Sequence, residues 1–232
     1  MADGDGTTRE AGMATAEAAP LMDWPARIRE RLAGSQPRHE IEECLVPGLT
    51  AQQSGEFRRY FPAEPIPAAV LVPIVEHPGA PTVLLTQRAT QLRNHAGQVS
   101  FPGGRIDPQD RGPTAAALRE AREEIGLEES CVSVVGFLPD HMVISGFRVT
   151  PVVAMVSPGF ELLLEAQEVE DTFEVPLTFV FDPRNHRPRL HRFPTAEAEA
   201  TMFDIPYGDR NIWGATAGML LTLYRLCTEG KA

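Results

Sequence analysis

The chain has 232 residues, 43% of them hydrophobic and 23% charged, enough apolar material for the core of one ordinary domain. Its 21 Lys plus Arg stand against 32 Asp plus Glu, a formal net charge of -11. That balance argues against nucleic-acid binding, because a phosphate backbone is held by a basic surface. The three cysteines, Cys44, Cys131 and Cys227, are far apart. They form no disulfide framework or Cys-rich zinc site and favour a reducing compartment.

Residues 1–20 are rich in Gly, Ala and acids without periodicity, and are expected to be a disordered tail. They offer neither the basic start and apolar run of a signal peptide nor the acid-poor pattern of a transit peptide, so a cytoplasmic protein is expected. Residues 21–64 are a helical and irregular lead-in. Within it, Trp24, Ile28 and Leu32 predict a short amphipathic helix capped by Asp23. Residues 65–228 form the main domain. Short β-branched runs predict strands at 69–75, 82–88, 132–138 and 149–156, with further candidates at 173–181 and 190–193. No run approaches the roughly 20 apolar residues of a bilayer span, so no membrane partner is expected. Helices are expected at 113–126 and 211–227, the second packed by alternating small and large apolar residues. The order implies an α+β fold with a mixed sheet between helices.

Residues 101–127, FPGGRIDPQDRGPTAAALREAREEIGL, carry the chemistry. Pro113 suits the first helical turn and Gly126 the position past the end. Leu118, Ala121 and Ile125 share one face, while Glu120, Glu123 and Glu124 fall within about a 100° arc on the other. Arg119 stands four residues before Glu123 and can pair with it, leaving Glu120 and Glu124 one turn apart without a salt bridge. Such a carboxylate pair is a hard-oxygen site for Mg²⁺ or Mn²⁺, or else a solvated acidic face. The preceding Gly103 and Gly104 allow close backbone approach, which favours the site.

The segment resembles the box of Nudix hydrolases, G-x5-E-x7-R-E-U-x-E-E-x-G-U, with U a bulky aliphatic residue. Arg119, Glu120, Ala121, Glu123, Glu124, Gly126 and Leu127 match its second half. In the first half Asp110 replaces the Glu, with eight residues rather than seven before Arg119. Just upstream, LLTQRATQLRNHAGQVSFPGG (84–104) is similar to the pattern L-L-T-x-R-[SA]-x3-R-x3-G-x3-F-P-G-G of coenzyme A pyrophosphatases. Leu84, Leu85, Thr86, Arg88, Ala89, Arg93, Gly97, Phe101, Pro102, Gly103 and Gly104 fill its fixed positions.

The resemblance implies a Nudix-type α/β/α sandwich. It also implies metal-dependent hydrolysis of coenzyme A or acyl-CoA to 3′,5′-ADP and (acyl-)4′-phosphopantetheine. Glu120 and Glu124 would hold the metal, with Glu123 a further ligand or the partner of Arg119. Glu168 is a candidate base or a plain surface carboxylate. Arg88 and Arg93 could hold phosphates, with His95 and Arg105 as weaker suggestions, and Gly103 and Gly104 would line the substrate site. The basic stretch 184–192 reads as a hairpin tip rather than a lid, and Trp213 and Tyr207 as core rather than adenine-stacking residues. Two other readings stay open: hydrolysis of ADP-ribose, a dinucleotide or an oxidised nucleotide, and a silent nucleotide sensor. Loss of Glu120 or Glu124 would favour the sensor, and both are present. Monomer or homodimer is also open.

Overall fold

The structure, a computed structural model, describes residues 22–38, 40, 43–47, 49–92, 95–193 and 198–229. The expected tail, residues 1–20, and the phosphate-binding candidate Arg93 lie outside the described residues. The lead-in contributes α1 (Trp24–Leu32) and α2 (Ala51–Phe57). There follow β1 (Ile66–Val75), β2 (Thr82–Arg88), β3 (Val99–Ser100), β4 (Gly103–Arg105) and α3 (Pro113–Ile125). Next come β5 (Val132–Phe137), β6 (His141–Met142), β7 (Phe147–Val156), β8 (Val169–Pro176) and α4 (Leu177–Val180). The chain continues through β9 (Arg187–Phe193), β10 (Ala198–Tyr207), β11 (Arg210–Ile212) and α5 (Gly214–Glu229).

Strands β1 and β7 pair in parallel over their full ten residues, from Ile66 opposite Phe147 to Val75 opposite Val156. The other strand pairings among the described residues are antiparallel, so the main sheet, in the order β3-β2-β1-β7-β5, is mixed. Both central strands are buried on both faces, which is why they read as continuous apolar runs. Alternate residues sort them: Ala68, Val72 and Ile74 join the core under α1 and α5, whereas Ala69, Leu71 and Val75 join the core under α3. The other edge of β1 is shared, residues 68–70 pairing with β4 and residues 74–75 with β2. Pro73, which has no N–H to give, falls between the two partners.

Helix α1 starts as expected: the Asp23 carboxylate accepts from the Ala26 N–H at 3.1 Å, a cap worth about 1 kcal/mol. Its buried Ile28 and Leu32 contribute roughly 1.5–3 kcal/mol each. The Trp24 ring meets Phe181 edge-on at 4.8 Å. A separate antiparallel sheet, β11-β10-β9, packs against the lead-in through Val46, Leu49, Ala200 and Met202. No helix among the described residues is long and apolar enough to cross a membrane.

The mixed sheet between helices agrees with the expected fold class, but three segments differ in kind from the expectation. The run 173–181 is strand only to Pro176, where a residue without an N–H ends the ladder, and α4 follows. The expected helix 211–227 starts only at Gly214. Asn211 and Ile212 instead pair with Pro206 and Ile205 across the two-residue turn Gly208-Asp209. The stretch 184–192 is not a hairpin tip. A short 3-10 turn, Pro183–Asn185, leads into β9, which pairs with β10 along its whole length.

Candidate active site

Helix α3 lies close to the sheet because alanines, Ala116, Ala117 and Ala121, make up most of its buried face, ahead of Ile125 in its last turn. It passes over β4, whose Gly103 and Gly104 stand opposite Val70 and Ala69 of β1. A Cβ on Gly103 would come within 2.6 Å of the Val70 Cα, and one on Gly104 would run into the Glu120 carboxylate. Bare backbone is what lets helix and strand touch here. Pro113 opens the helix, and Gly126 closes it with φ of 69°, in the left-handed region.

The three helix glutamates, grouped on one arc by sequence, have three different surroundings. Glu124 is 3% exposed, and its Oε2 accepts the Gly103 N–H at 3.0 Å. Burial pushes its carboxyl up to about 7; Gly103 and Arg88 resist this, and the charges of Glu120 and Glu168 add to it. Glu120 is also raised by burial, an effect opposed by its hydrogen bond from Arg119. Glu123 points outward, with its side chain 55% exposed.

Arg119 is the hub of this end of the helix. It donates to Glu120 at 2.8 Å, to Glu123 at 3.0 Å, to Asp110 at 2.9 Å and to the Arg105 carbonyl at 3.1 Å. The expected Arg119–Glu123 pair is present. The expectation that Glu120 and Glu124 lack ionic partners is not met: Arg119 reaches Glu120, and Arg88 stands 3.8 Å from Glu124. Asp110 is held below the usual carboxylate range by its hydrogen bond from Arg119. It ties the loop to the helix.

Arg88 ends β2 beside Glu124, and no hydrogen bond among the described residues reaches its buried Nε. A buried donor in this state is open to a water, an ion or a ligand. Glu168, exposed on the turn entering β8, is near enough for its charge to raise both Glu120 and Glu124. His95, with φ of 57°, bonds Gln98 at 2.9 Å, and the Arg105 guanidinium sits 5.5 Å over the Phe147 ring.

Arg88, His95, Gly103, Gly104 and Arg105 border a cavity of about 980 Å³. Arg189, His191 and Trp213 border it too, with the Arg189 guanidinium 5.3 Å over the Trp213 ring. Trp213 is therefore a cavity residue rather than plain core, whereas Tyr207 packs on Phe179 at 5.0 Å as expected. The only sequence signal for Arg189 and His191 was the basic character of 184–192.

The donor set fits a hard divalent ion. Among the described residues no hydrogen bond reaches Glu124 Oε1, which faces Arg88 at 3.8 Å, or Glu120 Oε2, so each of two residues one turn apart keeps one carboxyl oxygen for a cation. No three His, Cys, Asp or Glu side chains among the described residues are arranged as a cage. A site completed by waters and substrate phosphates is how Mg²⁺ is usually held.

Anionic oxygens backed by arginines, at the edge of a cavity this large, suit a polyanionic phosphate ester, and the chain belongs to the Nudix hydrolase family. The family's NUDIX domain model matches residues 65–198. NudL of Escherichia coli strain K12, itself described as an uncharacterized Nudix hydrolase, is 41% identical over 156 residues, 67% of this chain and 80% of NudL. Among solved structures the chain is similar to RenU, a Nudix hydrolase from M. smegmatis. That likeness is at 26% identity and TM-score 0.42, over 49% of this chain and 71% of that one. It is also similar to the MutT protein of Methanosarcina mazei Go1, at 18% identity and TM-score 0.45, over 74% and 99% of the two chains.

Proposed function

We propose that this Nudix hydrolase cleaves the pyrophosphate of coenzyme A or an acyl-CoA, releasing 3′,5′-ADP and (acyl-)4′-phosphopantetheine. The catalytic domain would be residues 65–228, with residues 21–64 as its lead-in. One observation carries the reading: Arg88, whose buried Nε no hydrogen bond reaches among the described residues, stands beside Glu124 where β4 opens on the cavity. Arg88 and Gly103-Gly104 all belong to the segment 84–104 whose fixed positions match the coenzyme A pyrophosphatase pattern.

In this reading Glu120 and Glu124 hold Mg²⁺ or Mn²⁺, and Glu123 serves Arg119. When bound, the ion neutralises phosphate charge and lowers the pKa of a coordinated water. Arg119 fixes Glu120 and the 105–110 loop relative to each other, so the carboxylates need not reorganise. Arg88 grips a phosphate oxygen, a charge-assisted contact worth about 1.5–3 kcal/mol. Arg93 is a second candidate for such a grip. As the water oxygen adds to phosphorus and the bridging P–O bond breaks, Glu168, whose charge is felt by Glu120 and Glu124, would take the proton.

The test is a panel of coenzyme A, 3′-dephospho-coenzyme A, ADP-ribose and a dinucleoside polyphosphate with Mg²⁺ or Mn²⁺, the products identified by mass. The expected result is the highest kcat/KM on coenzyme A or its thioesters. A clear preference for ADP-ribose would defeat the assignment.

A further inference from the structure

The cavity is far larger than a pyrophosphate requires, at the top of the roughly 300–1,000 Å³ range of ligand sites. Its polar lining is split between Arg88 and β4 on one side and Gln98, Ser100, Arg189 and His191 on another. Most of the remaining lining is apolar. Phe61 comes from the lead-in, Met142 from β6, Ile144 from the turn after it, Phe147 from β7, Met202 from β10 and Met219 from α5. Phe61 and Met219 lie outside the residues matched by the NUDIX model, so part of this wall is added to the family's domain. Two of the large hydrophobic side chains exposed among the described residues, Ile66 at 40% and Ile144 at 60%, also border the cavity. Apolar surface kept open to water beside a catalytic site points to an apolar ligand.

We propose that this wall seats the acyl chain of a fatty acyl-CoA, so that medium-chain and longer thioesters are preferred over free coenzyme A. The inference rests on the coenzyme A reading above. An adenine ring fits this wall poorly, because its ring nitrogens would lose water without gaining partners. A methylene chain loses nothing there, and three methionines can repack around chains of different shape. Each methylene buried is worth about fourfold in affinity.

The experiment compares kcat/KM for coenzyme A, butyryl-, octanoyl- and palmitoyl-CoA in the wild type, Ile144→Asp and Met202→Trp. Ile144 is exposed on a turn, so the charge can be carried without disturbing the core. The wild type should favour octanoyl-CoA over coenzyme A by at least about tenfold, and both variants should bring that ratio toward one. Calorimetry without divalent metal should show octanoyl-CoA binding more tightly, with a more negative heat-capacity change. Cleavage of all four at equal kcat/KM would overturn the acyl seat and leave the coenzyme A reading intact. A chain-length preference that survives in both variants would place the seat elsewhere and overturn it too. Cleavage of other nucleotides but of none of the four would overturn the underlying reading and this inference with it.

Discussion

Helices α3 and α5 cover opposite faces of one sheet with opposite kinds of side chain. Helix α5 buries Met219, Leu220, Leu221 and Leu223 and contributes packing. Helix α3 buries three alanines and a glutamate, with Ile125 its one large apolar side chain in the core. Small side chains bring α3 down onto β4, and that closeness takes Glu124 out of water against the Gly103 N–H. A carboxylate buried this way weakens the free protein, so α3 gives up stability for a poised site while α5 supplies it. Substitutions in the two helices should therefore separate activity from stability.

The largest effects belong to α3. Glu120→Gln and Glu124→Gln should each lower kcat/KM by about a thousandfold or more, by analogy with the loss of a key electrostatic group, while circular dichroism stays native. Gly104→Ala should lower kcat/KM too, by a smaller factor, because its methyl group displaces the end of the Glu120 side chain. Near-normal turnover in any of the three would break the comparison. On the other side, Leu223→Ala empties a fully buried position and should lose about 2–5 kcal/mol in denaturant unfolding, with kcat retained in the folded fraction.

Acid should act through the α5 side. His141 is completely buried, its ring bonded to the Pro139 carbonyl at 2.9 Å and to Thr222 of α5 at 3.2 Å, and burial lowers its pKa to about 4. The folded state thus favours the neutral ring. That advantage is intact above the ordinary pKa of 6.5 and drains away as pH falls toward 4, by about 3 kcal/mol in all. Chemical denaturation at pH 7 and pH 4.5 should show the loss, and His141→Asn should flatten it; an equally steep loss in the variant would place the effect elsewhere.

The smallest effect sharpens the α3 side. The Glu124 carboxyl, raised to about 7, favours its protonated form in the metal-free fold. The wild type should lose stability as pH rises from about 4.5 through 7, because the unfolded chain gives up this proton first. Metal-free Glu124→Gln should therefore melt higher than the wild type at pH 8, by at most about 3 kcal/mol of stability, and the two should converge below pH 4.5. Equal melting at pH 8 would mean that Arg88 and Gly103 fully offset the burial.

Much of α3 and its loop is legible in sequence because it is local. Pro113, Gly126, Gly103-Gly104 and the glutamate spacing lie within 24 consecutive residues, and each acts on its near neighbours. The central strands are legible because burial on both faces leaves an unbroken apolar run. What the helical wheel could not give is the tilt of α3 against β4, which makes Glu124 the inward carboxylate and Glu123 the outward one. Nor does i,i+4 spacing reveal that Arg119 also reaches Glu120 and Asp110. The cavity wall is less legible still. Phe61, Phe147, Met202 and Trp213 meet only through the tertiary fold, and of the strand that carries Arg189 and His191 the sequence shows only the stretch 190–193.

The most direct test is Mn²⁺ titration of wild type and Glu124→Gln at pH 8, reading Tm and coenzyme A hydrolysis on the same samples. The account predicts that the metal-free variant melts higher than the wild type, gains little or no Tm from Mn²⁺ and hydrolyses nothing measurable. The wild type should gain Tm with added metal and turn over. A Glu124→Gln protein that takes up Mn²⁺ and hydrolyses coenzyme A at the wild-type rate would contradict it.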